Sequence, residues 1–226
     1  GILKEDFIKV LETCKTYLPN TEFLVLTNGR VFSVGNYTEK ISKVTPNNIR
    51  FAIPIYASQS KLHDEITRVQ GSFKQALTGI YNLINKNIDV EIRIVVLKKN
   101  YNELENIAKF IVENIPQVKM VNIMALEMTG NAFKNKEKVW INFSDVNDYL
   151  YKACMKLIEN GIVTNLYNFP LCCIDERLYS ISRKSITDYK IRYKEQCEGC
   201  TAQDWCGGFF NSTINIKDII IKPIKS

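Results

Sequence analysis

No stretch of these 226 residues is apolar over the length that a bilayer crossing requires, about 20 residues. The opening segment, GILKEDFIKV, lacks the basic-then-apolar order of a secretory signal, so the cytoplasm is the default address. Nor does the chain repeat itself. Histidine occurs once and tryptophan twice. Charge of one sign is in short excess: 30 basic residues against 24 acidic ones leave a net +6. The basic residues are scattered, with small clusters such as Lys134, Lys136 and Lys138. A dedicated nucleic-acid binder carries a denser basic stripe interleaved with stacking aromatics, and none is present.

The chain does have an ordinary apolar fraction of 46% and enough length for one α/β domain or two small ones. It also has seven cysteines, many for a cytoplasmic chain. The count is odd and five lie in the last quarter, unlike a secreted disulfide framework. Cys14 and Cys154 fall in apolar helical patterns and read as buried small hydrophobes.

Helix and strand patterns alternate. KEDFIKVLETCKTYLP puts Phe7, Leu11, Cys14 and Leu18 at helical spacing, and Pro19 follows. EFLVLTNG and IRFAIPIY are short apolar runs, the first stopped by Asn28 and Gly29. SFKQALTGIYNLINKN is amphipathic. VEIRIVVL is β-branched, NELENIAKFIVENI is helical up to Pro116, and VKMVNIMAL is strand-like. DVNDYLYKACMKLIENG is a helix with Ser144 or Asp145 as cap and Gly161 at its stop. VTNLYN is a last short strand. Five strands thus recur at the spacing of βα units, whose crossovers impose a parallel sheet. From Pro170 the rhythm is lost.

Five parallel strands fit an open doubly wound sheet or part of a barrel. In VEIRIVVL, Ile92, Ile94 and Val96 share one face while Glu91 and Arg93 share the other. Charges within a buried parallel strand favour a barrel, whose lumen is wet and whose chemistry sits at the strands' C-terminal ends. The plainer reading is an edge strand facing water, and Pro54 also suggests an edge or a bulge. The chain opens almost directly in a helix, so it reads as the C-terminal part of a larger protein. The division expected is a partial barrel over residues 1–169 and a cysteine-rich metal-binding extension over 170–226.

The extension holds CEGCTAQDWCGGF. Cys197, Cys200 and Cys206 are closely spaced thiols beside Gly199, Gly207 and Gly208, as a zinc or iron–sulfur site needs. A fourth ligand would come from Cys172 or Cys173. Neighbouring residues of an extended segment point opposite ways, so one of the pair is expected to ligate. Tetrahedral Cys₄ geometry suits zinc as well as iron.

Several stretches, in this order, carry a resemblance: EDFIKVLETCKTYLPNTEFLVLTNGRVF, PIYASQSKLHDEITRVQGSFKQALTGIYNL, VEIRIVVLKKNYNELENIAKFI, ALEMTGNA, LYNFPLCC and SITDYKIRYKEQCEGCTAQDWCGGFF. The chain resembles the C-terminal two-thirds of radical SAM enzymes, and among them the His-Xaa-Ser system radical SAM maturases. The resemblance implies a partial TIM-like (β/α) barrel of about five parallel strands without its first two. It also implies a peptide or protein substrate. The cofactors it implies for the intact parent are S-adenosylmethionine and a catalytic [4Fe–4S] cluster, which together generate a 5′-deoxyadenosyl radical. It favours an auxiliary [4Fe–4S] cluster, with zinc as the alternative, on Cys172, Cys197, Cys200 and Cys206. Related maturases add a cysteine four residues further on, where this chain has Phe210, so one auxiliary cluster is the most expected.

The family's CxxxCxxC and Gly-Gly-Glu-Pro loops are missing, Gly1 falling just after the latter, so this chain alone is expected to be inactive. Asn28, Ser58, Arg68 and Arg93 are candidates for binding S-adenosylmethionine, Arg68 and Arg93 through the guanidinium fork that suits a carboxylate. Leu126 and its neighbours from Met124 are candidates for packing the adenine. His63 and Asp64 are candidates for the catalytic face. Against each stands a plainer reading: turn chemistry for Asn28, a solvated helix end for Arg68, ordinary core for Met124 to Leu126, a capping role for His63. A zinc-stapled binding module without catalysis, and a thiol-redox enzyme, compete with the radical enzyme. Exposed sheet edges would invite pairing with another chain.

Overall fold

The structure, a computed structural model, describes residues 4–216 and 219–225; Gly1, on which the expected boundary rests, lies outside them. Helix α1 (Lys4–Tyr17) has acids in its first turn, Lys15 in its last and buried Leu11 on its inner face. Strand β1 (Phe23–Leu26) follows, then a 3₁₀ turn (Arg30–Ser33) and α2 (Gly35–Val44). Next come β2 (Ile49–Pro54), α3 (Ser60–Thr67), α4 (Ser72–Ile84), β3 (Asp89–Val96), α5 (Leu104–Asn114) and β4 (Met120–Ala125). Two short helices, α6 (Gly130–Lys134) and α7 (Lys136–Val139), precede α8 (Phe143–Glu159) and β5 (Val163–Tyr167). The last segment forms 3₁₀ turns and three two-residue strands, β6 (Ser182–Arg183), β7 (Ile191–Arg192) and β8 (Phe209–Phe210). No helix is long and apolar enough to cross a membrane, among the described residues.

Strands β1 to β6 make one sheet in chain order, every pair parallel. The sequence marks five strands; the sixth, β6, has two residues, too few for any periodicity to reveal. β7 and β8 pair antiparallel in a separate ribbon. The order never reverses. Right-handed crossovers then all fall on the same side, which is the winding of a barrel rather than of a doubly wound sheet. That choice, open in the sequence, is made by topology.

The helix side of the sheet carries the core. Phe51, Ile53, Ile92, Ile94, Val121, Ile123 and Leu166 are all buried there, each contributing roughly 1.5–3 kcal/mol by leaving water. Alternation sends Glu91, Arg93, Asn122 and Asn165 to the other side. β3 pairs with β2 and β4, so Glu91 and Arg93 are not edge residues facing water. Pro54 is not mid-strand but closes β2, a strand paired on both sides, and the next amide, that of Ile55, resumes hydrogen bonding to the Arg93 carbonyl.

Two local expectations are corrected. Helix α8 begins at Phe143 with extended Asn142 in the cap position, ahead of Ser144 and Asp145. The gain is apolar, because the earlier start buries Phe143 against Trp140 and Phe169. Cys154 is buried, and burial pushes its thiol up to about 12, but Cys14 is only half-buried.

Candidate functional site

A cleft of about 670 Å³ opens at the C-terminal ends of the strands. Asn28 after β1, Pro54 and Tyr56 at the end of β2, Val95 and Leu97 at the end of β3, and Leu126 after β4 line it, with His63 and Arg68 from α3 and its cap. Four sequence candidates are thus brought together: Asn28, His63, Arg68 and Leu126. Ser58 lies in the β2–α3 loop, off the lining, and Arg93 lines a different hollow.

The turn between α3 and α4 shapes one wall of the cleft. Asp64 is the hub of the α3–α4 turn. Its carboxylate accepts from the Gly71 amide at 2.6 Å, the Ser72 hydroxyl at 2.9 Å and the Phe73 amide at 2.8 Å. The Phe73 amide above all, with the Gly71 amide and the Ser72 hydroxyl, lowers its pKa. The carboxylate thus takes the amide end of α4, where a negative charge is favoured. This turn holds Arg68 with φ 58°, in the left-handed region that non-glycine residues seldom occupy. The Arg68 guanidinium has no hydrogen bond or ion pair among the described residues.

His63 is buried, 2% exposed, between the rings of Tyr56 and Phe73. Its Nδ1 accepts from the Tyr56 amide at 3.3 Å, which assigns the remaining proton to Nε2. Burial pushes the imidazole down to about 4, with Asp64 pulling the other way. His63 is therefore a neutral hydrogen-bond donor at pH 7. Being the only histidine, its ring is readily followed by NMR. The expected midpoint is near 4. Because the unfolded chain takes the proton first, stability is full above about pH 6.5 and declines as pH falls toward 4. A ring titrating near 6.5 in the folded chain would contradict this.

Sequence reading missed Arg30. It follows the Asn28–Gly29 turn at the end of β1 and enters the cleft, its Nε bonded to Gln75 Oε1 at 2.7 Å. Its position just past a strand's C-terminal end was the available signal. With Arg68 it gives the cleft two guanidinium groups, and no Asp or Glu lines it among the described residues. Asn28 Oδ1 accepts from the Arg30 amide at 3.1 Å, the turn chemistry anticipated for it.

A second feature lies in the extension. Cys172, Cys197, Cys200 and Cys206 line one apolar hollow of about 20 Å³ with Tyr193 and Phe209. Cys173 is not among its lining residues, although its Sγ lies 3.9 Å from Cys172 Sγ, and 3.7 Å from the Ile220 carbonyl oxygen. The Cys173 thiol, with two backbone amides, brings Cys172 down to about 7, and Cys173 rises in turn. Burial pushes Cys197 and Cys206 up. The Leu171 and Gly208 amides donate to Cys206 Sγ at 3.5 and 3.3 Å. All seven cysteines are free, and no group of three or more His, Cys, Asp and Glu side chains is drawn close enough to hold a metal ion, among the described residues.

No family model matches this chain, and no curated protein does. Solved structures do. A domain of the pyruvate-formate lyase-activating enzyme from Bacteroides vulgatus matches at TM-score 0.54 and 13% identity, over 72% of this chain and 90% of that one. Streptococcus suis SuiB bound to its precursor peptide SuiA matches at TM-score 0.56 and 15% identity, over 71% of this chain and 35% of SuiB. SuiB bound to S-adenosylmethionine matches at TM-score 0.54 and 14% identity, over 86% and 40%. The chain thus spans about two-fifths of SuiB. At these identities the likeness is one of fold alone: a parallel sheet with flanking helices, open as part of a barrel.

Proposed function

We propose that this chain is part of a radical SAM enzyme that modifies a peptide or protein, and that its cleft holds S-adenosylmethionine. One observation carries the reading: a cleft at the strands' C-terminal ends with two guanidinium groups and no lining carboxylate, in a fold shared with a protein solved with S-adenosylmethionine and with a peptide. When bound beside a [4Fe–4S] cluster, S-adenosylmethionine supplies a radical able to take hydrogen from the substrate. Arg68 receives its carboxylate as a bidentate fork, His63 donates through Nε2, and Leu126, Val95 and Leu97 offer flat apolar packing to the adenine. The more specific assignment to His-Xaa-Ser peptides rests on the sequence stretches alone.

Four thiols, an apolar wall and two amides aimed at Cys206 Sγ fit an all-thiolate metal centre. The thiols as they stand are not drawn together around an ion, so a zinc ion and an iron–sulfur cluster would each require them to close about the metal. The resemblance favours the cluster, and metal analysis decides.

The test is calorimetric titration of S-adenosylmethionine into the 226-residue chain. Binding is expected, and Arg68→Ala should weaken it about ten- to a hundredfold, the worth of a hydrogen-bonded charge. The chain should form no 5′-deoxyadenosine after iron–sulfur reconstitution, because it lacks CxxxCxxC. Turnover by this chain alone would refute the expected inactivity, and absence of binding would leave the zinc-stapled module as the better account.

A further inference from the structure

We propose that the hollow beside Arg93 is a second binding site, which takes a neutral amide group. It encloses about 490 Å³ on the helix-free face, with Leu24, Arg50, Glu91, Arg93, Asn122 and Tyr167 among its walls. Strand register sets Pro54, Arg93, Asn122 and Asn165 abreast, one from each of four strands. Pro54 lines the cleft and its register partner Arg93 lines the hollow, although no residue lines both.

Such a row is costly. Glu91, Asn122 and Asn165 are only 2%, 1% and 6% exposed, in parallel strands whose positions are normally apolar. Departures of this kind gather where a fold serves a ligand. The residues satisfy one another only in part. Arg93 Nε donates to Glu91 Oε1 at 2.7 Å, and Asn165 Nδ2 donates to Asn122 Oδ1 at 2.9 Å. Among the described residues, both terminal nitrogens of Arg93, the Asn122 amide nitrogen and the second Glu91 oxygen have no partner.

Those leftover groups define the ligand. Two kinds of donor and one acceptor face the space together. A free carboxylate would meet Glu91, Asp89 and Glu22, and an ammonium would meet Arg93 and Arg50. A carboxamide or peptide group carries acceptor and donor without net charge. Its carbonyl oxygen takes the Arg93 and Asn122 hydrogens and its N–H goes to Glu91. A peptide anchored in this way would present its neighbouring residues to the cleft.

The test uses three probes on one skeleton, propionamide, propionate and propylammonium, titrated into the isotope-labelled 226-residue chain. The side-chain amide signals of Asn122 and Asn165 and the Arg93 Nε–H signal are the reporters. Propionamide alone should move them saturably, at least about tenfold more tightly than either ion. Asn122→Leu and Arg93→Lys should each weaken it about tenfold or more. Arg93→Lys keeps a cation beside Glu91 and removes only the fork, so it serves where Asn122→Leu loosens the β4–β5 seam. Equal binding of propionate, no saturable shift with any probe, or full propionamide affinity in folded Arg93→Lys would each overturn the proposal. Whether the cleft binds S-adenosylmethionine does not enter the outcome.

Discussion

Gly79→Ala should destabilise the chain by about 1–3 kcal/mol, the usual cost of overpacking a filled site. Helix propensity alone points the other way, since alanine is favoured over glycine in a helix interior by about 1 kcal/mol. Packing reverses the sign. A Cβ at Gly79 would stand 2.2 Å from the Gly29 carbonyl oxygen, a backbone atom with little room to retreat. Gly29 cannot move inward either: its φ is +73°, and its own α-hydrogen side abuts Ile53, where a Cβ would lie 2.8 Å from Cγ2. The turn over residues 28–33 is clamped from the same helix face, by Gln75 to Arg30 Nε and by Asn82 Nδ2 to the Phe32 carbonyl at 2.8 Å. The variant therefore displaces Asn28 and Arg30 from the cleft as it weakens the fold. Urea unfolding measures the loss. Gly35→Ala is the control, because nothing lies within 4 Å of a Cβ there; it should be neutral or stabilising. A Gly79→Ala chain as stable as the wild type would mean that α4 does not press on this turn.

The larger effect is expected in the extension. Anaerobically purified chain should carry metal, and Cys197→Ser should lose it together with order over residues 170–216. Structural zinc in small domains contributes apparent free energies of about 10–16 kcal/mol at neutral pH, more than any packing contact here supplies. Regular structure in the extension is short, 3₁₀ turns and the two-residue strands β6, β7 and β8 among the described residues. Its other hold on the barrel is apolar, through buried Leu171, Ile174, Leu178 and Phe209. A cation in the hollow reverses the upward push of burial on Cys197 and Cys206, since a coordinating thiol is deprotonated. Cys173→Ser should keep the metal, because Cys173 Sγ faces the Ile220 carbonyl and does not line the hollow. Metal content, the absorption spectrum and limited proteolysis report the result. Iron with sulfide identifies the cluster, and one zinc per chain identifies the staple. Wild-type chain without metal, or metal retained by Cys197→Ser, would end the reading of these cysteines as one centre.

Much of the fold was legible because its elements repeat a strong local pattern. β-branched runs such as VEIRIVVL and amphipathic runs such as SFKQALTGIYNLI have no comfortable alternative to strand and helix. The alternation of the two also implied a parallel sheet, since parallel neighbours need a crossover. β6 was not legible, because two residues carry no period and pair only where β5 presents an edge. The start of α8 was misjudged by capping residues, because the contact of Phe143 with Trp140 and Phe169 outweighs a side-chain cap.

The candidate site divides along the same line. Cysteine spacing is a property of the chain, so the triad and its two possible fourth members could be named before any fold was known. Which of Cys172 and Cys173 turns inward depends on the 3₁₀ turn Leu171–Cys173 and on the segment around Ile220, 47 residues away. Glu91 and Arg93 were readable as a pair on one strand face, because the pleat alternates. Their row with Asn122 and Asn165 was not, because register across strands is decided by helix packing on the far side of the sheet. Arg30 and Arg68 lie 38 positions apart and share a cleft only because two strands end at the same level. The sequence by itself determined the element types, the parallel sheet and the supply of thiols, all of which follow from local stereochemistry and spacing. Tertiary structure alone decided the single winding direction, the uncompensated charge of the cleft and the polar row beside Arg93, since these depend on which distant residues the crossovers set abreast.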